Sequence, residues 1–513
     1  MENVVFIDPS HSGSTEEFNC GLLSIGSYLD AKEYNVNLIF SSKDLEAVDN
    51  FVTEETLYVG ISAMSTQIPE ALKLAKYVKD KFPKIKVIFG GYHAILFPIQ
   101  TLKHELIDYI CFGDGEELCE ELIHAMRGDK KLSEIKGLGY KENDELIFND
   151  KRSLMDLSKL PRMNYELINK FHPIERSLPF RKGVRVKTGI VFSGNGCPFS
   201  CTFCINSAMQ RKWQGRDIDH VLDEIEWLIN EHEVDDIYLI DELFFVKKDR
   251  FFRFLDEIER RGLKFTWNSQ CRADYINDDY LTVDVLKRMR ELGGTAILFG
   301  VESGSDRMLK KMRKGLKLES VMRAVKDCGE AGIVPRTSFI IGMPGENRDD
   351  MLRTFRFILE LYKINPNLYL HGPSIYRPYP GGSMYDELVE SGEYSHPKKM
   401  KEWNLVDSSW NDRYLLDKSP WIKEKSLVLD IKDTLNVFFK FKKRTKFNIL
   451  RAVMKELYYS DKMMKVLLDK LPYMDQSAKS LFRPDLKNIY YRLEKMTSEI
   501  DVLDNDEIKV ENK

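Results

Sequence analysis

Over the first 130 residues the apolar positions switch between two periods. Short apolar runs predict strands at Val4–Ile7, Val36–Phe40, Leu57–Ile61, Lys86–Phe89 and Tyr109–Cys111. Helical spacing intervenes over Leu22–Ala31, Pro69–Lys81 and Glu116–Met126. Such alternation predicts an α/β fold with a doubly wound parallel sheet, which binds ligands beyond the carboxyl ends of its strands. Those ends carry Asp8-Pro-Ser-His11-Ser-Gly13, Ser62-Ala-Met-Ser-Thr66, Gly90-Gly-Tyr-His93 and Gly113-Asp-Gly-Glu116. All are small or polar where packing residues would otherwise stand.

The pattern breaks between residues 131 and 182. A small hairpin is predicted from Ile135–Tyr140 and Glu145–Phe148, after which Pro161, Pro173 and Pro179 interrupt any long element. This stretch reads as a connector. A second alternating series occupies residues 183–395. It has strands at Lys187–Phe192, Asp236–Ile240, Lys264–Asn268, Thr295–Gly300, Val334–Ile341 and Leu368–Ile375, with helical patterns in each of the five gaps. Six strands with five crossovers predict a partial (β/α)6 barrel with its chemistry at the strand C-termini. Residues 396–513 form a third, mainly α-helical region, with Trp and Asp concentrated near 400–421 and a basic run from Lys440 to Lys446. That run reads as a solvated helix face, and the Trp403–Trp421 stretch as a cover over the barrel that helps shape a substrate pocket.

Bulk composition narrows the function classes. The 513 residues are 43% hydrophobic and 31% charged, with a formal net charge of −4, so no global basic field points to nucleic acid. No apolar run reaches the eighteen or so residues of a membrane span. The start, MENVVFIDPS, lacks the order of a secretion signal, which leads to the expectation of a cytoplasmic protein. Its eight cysteines are then expected to be thiols or metal ligands.

Three of them, Cys197, Cys201 and Cys204, stand in the spacing C-x3-C-x2-C, just after Gly194 and Gly196. Three thiolates in so short a loop can hold one face of an iron–sulfur cube and leave one iron open. Zinc is the rival, although no fourth Cys or His lies at finger spacing.

The triplet, written Cys197-Pro-Phe-Ser-Cys201-Thr-Phe203-Cys204, resembles the hallmark of the radical S-adenosylmethionine superfamily. The resemblance extends through Tyr238-Leu-Ile-Asp241-Glu242, Trp267-Asn-Ser-Gln270-Cys-Arg272, Phe299-Gly-Val-Glu302, Lys314-Gly315 and Ile341-Gly-Met-Pro-Gly345-Glu346. It implies a [4Fe–4S] cluster on the three cysteines and S-adenosylmethionine as cofactor. Phe203 would pack beside adenine, and Asp241 or Glu242 would pair with the ammonium. Gln270 or Arg272 would meet the carboxylate, Glu302 the ribose, and Gly342 and Gly345 would admit a planar ring. The implied chemistry is reductive cleavage to a 5′-deoxyadenosyl radical.

A doubly wound domain ahead of such a barrel resembles the cobalamin-binding class of that superfamily, including radical methyltransferases and relatives of the anaerobic magnesium-protoporphyrin ester cyclase. The resemblance implies a Rossmann-like cobalamin domain over residues 1–130. Its contacts would be His11, Ser62, Ser65, Thr66, Gly90, Gly91, His93, Gly113, Asp114, Gly115 and Glu116. The Asp-x-His-x-x-Gly lower-ligand motif is absent, since Asp8-Pro-Ser-His11-Ser-Gly13 has the wrong spacing. His93 alternatively reads as a turn histidine satisfied by backbone. The leading function is radical methylation of an unactivated carbon in a small-molecule or peptide substrate, with flavodoxin or ferredoxin as electron donor and nucleic acid disfavoured. Cyclisation or rearrangement, tRNA methylthiolation using Cys20, Cys111 and Cys119, and cobalamin or redox sensing remain as alternatives.

Overall fold

A computed structural model describes residues 3–9, 19–40, 45–168, 174–178, 184–209, 212–406 and 412–442. His11, the basic residues Lys443, Arg444 and Lys446, and the helices expected beyond residue 442 lie outside them. Two seven-stranded sheets organise the rest. The first contains β1 (Asn3–Ile7), β2 (Asn35–Ile39), β3 (Thr56–Ser62), β4 (Lys86–Gly90), β5 (Tyr109–Cys111), β6 (Leu138–Glu142) and β7 (Glu145–Phe148), in the order β2-β1-β3-β4-β5-β6-β7. Strands β1 to β5 are parallel. Both faces are covered, which is why the strands read as unbroken apolar runs. Val4 and Phe6 enter one core, while Val5 and Ile7 enter another on the opposite face.

The hairpin belongs to this sheet and is not a free connector. Tyr109 of β5 pairs antiparallel with Tyr140 of β6, so β6 and β7 extend the sheet edge. Hydrophobic period alone cannot show which edge a hairpin joins. Short helices at Leu45–Phe51, Tyr92–Leu96 and Pro98–Leu102 also went unpredicted, being too brief for a 3.6-residue period to register.

The second sheet contains β8 (Ile174–Ser177), β9 (Arg185–Val191), β10 (Asp236–Leu239), β11 (Thr266–Cys271), β12 (Gly294–Glu302), β13 (Val334–Ile341) and β14 (Tyr369–Ile375). They follow each other in space, β14-β13-β12-β11-β10-β9-β8, and β9 to β14 are all parallel. This is the expected six-strand half-barrel with one addition. Strand β8, from the proline-broken stretch, pairs antiparallel on β9 and closes that edge. Strand β11 runs three residues past its predicted end at Asn268. Asn268 and Gln270 looked like a strand terminus, but one face of this sheet is polar and accepts them.

Helices Ile218–His232, Lys248–Arg261, Val283–Glu291, Leu318–Glu330 and Arg348–Ile364 pack outside the half-barrel. Their ends follow local chemistry. Asp217 accepts the Asp219 and His220 amides at one N-terminus, and Asn347 with Asp350 forms a reciprocal capping box at another. Among the described residues no helix is long and apolar enough to cross a membrane.

The tryptophan stretch expected over the barrel is divided between the two sheets. Trp403 is fully buried in the core of the first sheet, and its Nε1 donates to Gln100 Oε1 at 2.6 Å. Trp421 covers the half-barrel, its Nε1 donating to Gly342 O at 3.0 Å. The two sheets also meet at Tyr165. Its hydroxyl donates within a buried knot, 2.8 Å from Ile190 O and 2.7 Å from Glu224 Oε1. Glu224 in turn pairs with Arg216 at 2.7 Å, both side chains almost wholly buried. Tyr165→Phe leaves a buried carboxylate oxygen without its donor, a loss of about 1–3 kcal/mol. The variant is expected to melt a few degrees lower in a thermal-denaturation scan, whereas an unchanged transition would show that the hydroxyl contributes nothing to the junction.

Candidate functional site

The cysteine loop leaves the C-terminal end of β9 through a tightly held turn. Asp241, at the end of β10, is 1% exposed and accepts both the Ser193 amide and hydroxyl at 2.6 Å. Burial pushes its carboxyl up, while the Ser193 bonds and the Arg250 charge pull it down. Arg250 Nη2 donates to Ser193 O at 2.6 Å, and Arg216 Nη1 to Phe192 O at 2.7 Å. Glu242 Oε2 accepts from Gly196 N at 3.0 Å, where the backbone has φ of +85° and so favours glycine. Both carboxylates expected at an ammonium therefore hold the turn: Asp241 with both oxygens, Glu242 with one.

The three thiols follow directly. Cys201 is buried, and Cys197 and Cys204 are half-buried. Burial raises the Cys197 and Cys204 thiols above their ordinary range, partly offset by the Lys314 ammonium. The loop backbone is clamped from two sides. Thr202 N donates to Met312 O, and Met384 N donates to Thr202 O, each at 3.0 Å. A Cβ on Gly382 would sit 2.4 Å from Thr202 O, so the Pro380-Gly381-Gly382 turn requires glycine there. Sequence reasoning missed this clamp; its one signal was the glycine pair. Among the described residues no three His, Cys, Asp or Glu side chains form a single-ion site. The donor set of three soft thiols on one clamped loop fits a multi-iron cluster.

Around the loop stand the remaining strand ends. Arg272 is 8% exposed and ties itself to protein on every side. It makes a two-point contact with Asp274 at 3.0 and 2.9 Å, donates to Lys314 O at 2.9 Å and Gly315 O at 3.1 Å, and lies 3.8 Å from the Phe199 ring centroid. Four of its donor contacts are thus internal, which disfavours it as a carboxylate ligand. Gln270 is half-buried, its Nε2 3.5 Å from Tyr238 Oη. Glu302 (φ +73°) pairs with Lys314 at 2.9 Å. Burial works against the Lys314 charge, but Glu302 and Cys201 outweigh it and raise its pKa. Phe203 is half-buried, with the Lys314 Nζ 5.9 Å from its ring centroid.

The turn after β13 is closed on one side. A Cβ on Gly342 (φ +74°) would meet Ile422 at 2.6 Å, so that glycine admits the C-terminal cover. Gly345 is exposed, and its carbonyl accepts from Arg307 at 2.8 Å. Glu346 Oε2 accepts the Gly342 and Met343 amides, while its Oε1 is buried without a partner. Burial pushes this carboxyl up to about 7.

At the first sheet the candidate contacts divide. Gly113 has open space where a Cβ would be, and Gly90 has only Cys111 at 3.8 Å, so the turns after β4 and β5 leave room beside their backbone. Ser62 and Thr66 are half-buried. Gly91 (φ +83°) is required because a Cβ would lie 2.8 Å from Ala63 N. Gly115 packs on Ile25, Asp114 accepts the Met155 amide at 2.8 Å, and Glu116 accepts the Ser24 hydroxyl at 2.6 Å. Ser65 and His93 turn inward. The His93 ring lies 2.9 Å from Ser65 Oγ through Nδ1 and 3.1 Å from Met400 Sδ through Nε2, and Trp403 stacks on it edgewise. Burial, with His396 nearby, pushes His93 down to about 3, so it stays neutral. It is satisfied by side chains and not by the backbone, and its partner from residue 400 had no sequence signal. Cys111 and Cys119 neighbour one another, whereas Cys20 sits among Glu224, Arg216 and Asp241.

Comparison with known proteins accords with this division. The Radical SAM superfamily model matches residues 191–358, and the B12 binding domain model matches residues 13–123. An uncharacterised methyltransferase of Pyrococcus horikoshii is 30% identical over 335 residues, covering 64% of this chain and 69% of that one. The anaerobic magnesium-protoporphyrin IX monomethyl ester cyclase of Rubrivivax gelatinosus is 25% identical over 521 residues, covering 94% and 90%. The methyltransferase TsrM of Kitasatospora setae, solved with cobalamin and a [4Fe–4S] cluster, shares the fold. Its TM-score is 0.61 at 18% identity, covering 77% of this chain and 76% of that one.

The Glu346 carboxyl supplies a pH test. Its folded pKa lies above its ordinary value of 4.5, so the folded chain holds the proton more tightly. That stability is full below about pH 4.5 and is lost as pH rises through about 7. Glu346→Gln, which cannot ionise, is expected to gain in melting temperature relative to the parent at pH 8 compared with pH 5. A parallel pH dependence in both proteins would contradict the assignment.

Proposed function

Because the chain belongs to the cobalamin-binding radical S-adenosylmethionine family, we propose that this enzyme methylates an unactivated carbon of a small-molecule or peptide substrate. The supporting observation is the clamped triplet at the C-terminal mouth of a six-strand half-barrel, together with a second parallel sheet whose fourth and fifth strands end in uncrowded glycines. A [4Fe–4S] cluster, S-adenosylmethionine and cobalamin are its cofactors. When bound, they supply one-electron cleavage of the sulfonium and a transferable methyl group.

The chain's own residues divide the remaining work. Cys197, Cys201 and Cys204 hold the cluster. Glu302 and Lys314 present a compensated charge pair to the space beside it, and Glu242, Gln270 and Phe203 complete the S-adenosylmethionine side. Asp241 and Arg272 position the loop instead of touching ligand. Ser62, Thr66, Gly90 and Gly113 would hold the tail of cobalamin at the ends of the first sheet's strands. His93 is closed over by Met400 and Trp403, so its ring would not be available to a bound cofactor. A flavodoxin or ferredoxin serves as electron donor.

The similarity to the cyclase, which spans 94% of the chain, supports a second reading, ring formation without methyl transfer. Methylthiolation is disfavoured, because burial raises all three thiols and Cys20 interacts with Glu224 and Arg216, whereas Cys111 and Cys119 interact with each other.

Anaerobic reconstitution with iron, sulfide and hydroxocobalamin tests these readings. About four irons per chain are expected, falling towards zero in the Cys197→Ala, Cys201→Ala and Cys204→Ala variants; about eight would indicate a second cluster. Formation of both 5′-deoxyadenosine and S-adenosylhomocysteine supports methylation. Deoxyadenosine alone favours the cyclase-like reading, and neither product from a fully loaded, reduced protein would favour a sensor.

A further inference from the structure

We propose, resting on the reading that Cys197, Cys201 and Cys204 hold a cluster, that Lys310, Arg313 and Lys317 form the face on which an acidic electron-donor protein docks to reduce it. The run Lys310-Lys311-Met312-Arg313-Lys314-Gly315-Leu316-Lys317 contains no acidic residue, in a chain whose formal net charge is −4. Its local field is opposite in sign to the charge of the whole chain. Two of its cations are matched internally, Lys314 by Glu302 at 2.9 Å and Lys311 by Glu387 at 3.9 Å. Lys310, Arg313 and Lys317 are exposed, and none has an acidic partner within salt-bridge distance among the described residues.

The backbone that carries these cations touches the cysteine loop. Met312 O accepts the Thr202 amide at 3.0 Å, and Lys311 O accepts the Thr202 hydroxyl at 3.3 Å, one residue from Cys201. On the other side of Cys201 the loop reaches the surface at exposed Ser200. Electron transfer weakens steeply with distance, which favours a donor seated on the segment that grips the loop. Redox encounters use small, transient interfaces, and charge steers them. Arg313 points the same way independently. The helix Asp306–Lys311 ends with Arg313 N bonded to Lys310 O and Lys314 N bonded to Leu309 O, each at 3.0 Å, and with Arg313 at φ +51°. Glycine ordinarily takes this left-handed position after a helix, because a Cβ is disfavoured there. An exposed arginine without an acidic partner gains no packing or pairing to offset that cost. The helix dipole accounts for a cation in the last turn, such as Lys310, but not for Arg313 and Lys317 beyond it. Steering of an acidic protein accounts for all three.

The test uses the full chain loaded with cluster and cobalamin, and an acidic bacterial flavodoxin in its hydroquinone form as the probe. One electron leaves the anionic hydroquinone, which becomes the neutral semiquinone, and the oxidised cluster gains it. Freeze-quench EPR follows both products. Methyl viologen radical, a small cation, serves as the donor that needs no docking face. Reversal of the three charges, Lys310→Glu with Arg313→Glu and Lys317→Glu, is expected to slow reduction by flavodoxin about tenfold or more. Reduction by the viologen, iron content and corrin absorption should stay at parental levels. Lys84→Glu with Lys103→Glu and Lys136→Glu makes the same change in net charge at exposed positions around the first sheet, and should leave the flavodoxin rate within about twofold of the parent. Arg313→Gly, which suits the backbone there, should gain thermal stability while losing part of the flavodoxin rate. The parental rate should also fall with added salt, since screening shortens to about 8 Å at about 0.15 M. An unchanged flavodoxin rate in the first triple variant, or an equal fall in both, would overturn the proposal. So would a parent that the viologen reduces and flavodoxin does not, with the cluster reading left intact. No reduced-cluster signal from either donor would remove the cluster reading and the docking face together.

Discussion

A buried knot of charge around Ser193 fixes the turn that leaves β9 and carries the cysteine loop. Asp241 takes the serine amide and hydroxyl, Arg250 takes its carbonyl, and Arg216 takes the preceding carbonyl while pairing with Glu224. Removing four charged groups from water is costly and adds little net stability even when they are paired. What it secures here is direction. The turn leaving β9 has one path, and that path delivers the cysteine loop to the strand C-termini. Tyr165 bonds to the same Glu224 and to Ile190, so the segment joining the two sheets reports to the knot as well.

Much of the polarity at the strand ends follows from this demand. Asp241 and Arg272 occupy positions where the family resemblance implied ligand contacts, yet their hydrogen bonds are largely internal. Arg272 binds the Lys314–Gly315 turn and stacks on Phe199, while Met312, at the start of that turn, holds Thr202. The loop is thus gripped through β10, β11 and the turn after β12, with the Gly381–Gly382 turn closing from the other side. Such preorganisation suits the cluster that we propose these thiols hold.

The first sheet is tied to the chain beyond the barrel by an analogous device with different chemistry. His93, Phe97, His396 and Trp403 form an aromatic group beneath the strand ends, closed by Met400. Its neutral histidine and thioether carry no charge to desolvate, so here packing sets the geometry. The segment containing Met400 and Trp403 leaves the half-barrel and buries itself in the other sheet's core, while Trp421 returns to cover Gly342. The chain after residue 395 therefore ties the first sheet to the half-barrel.

Local pattern carried most of the architecture. The five parallel strands of the first sheet and six of the second were legible because each is a buried apolar run bounded by turn chemistry. The thiol triplet was legible because its spacing is short and contiguous. Partners distant in sequence were not. Nothing near Asp241 indicates that Ser193 will consume it, and nothing near His93 points to Met400, 307 residues away. Sequence by itself determined the elements, the class of chemistry and the contiguous thiol loop, since these depend on neighbours within a few positions. Only the tertiary structure decided which polar groups are spent holding that loop and which face the space beneath it. Hydrogen bonds are made to whatever the fold brings within 3 Å or so, and the strand order sets that, not the sequence interval.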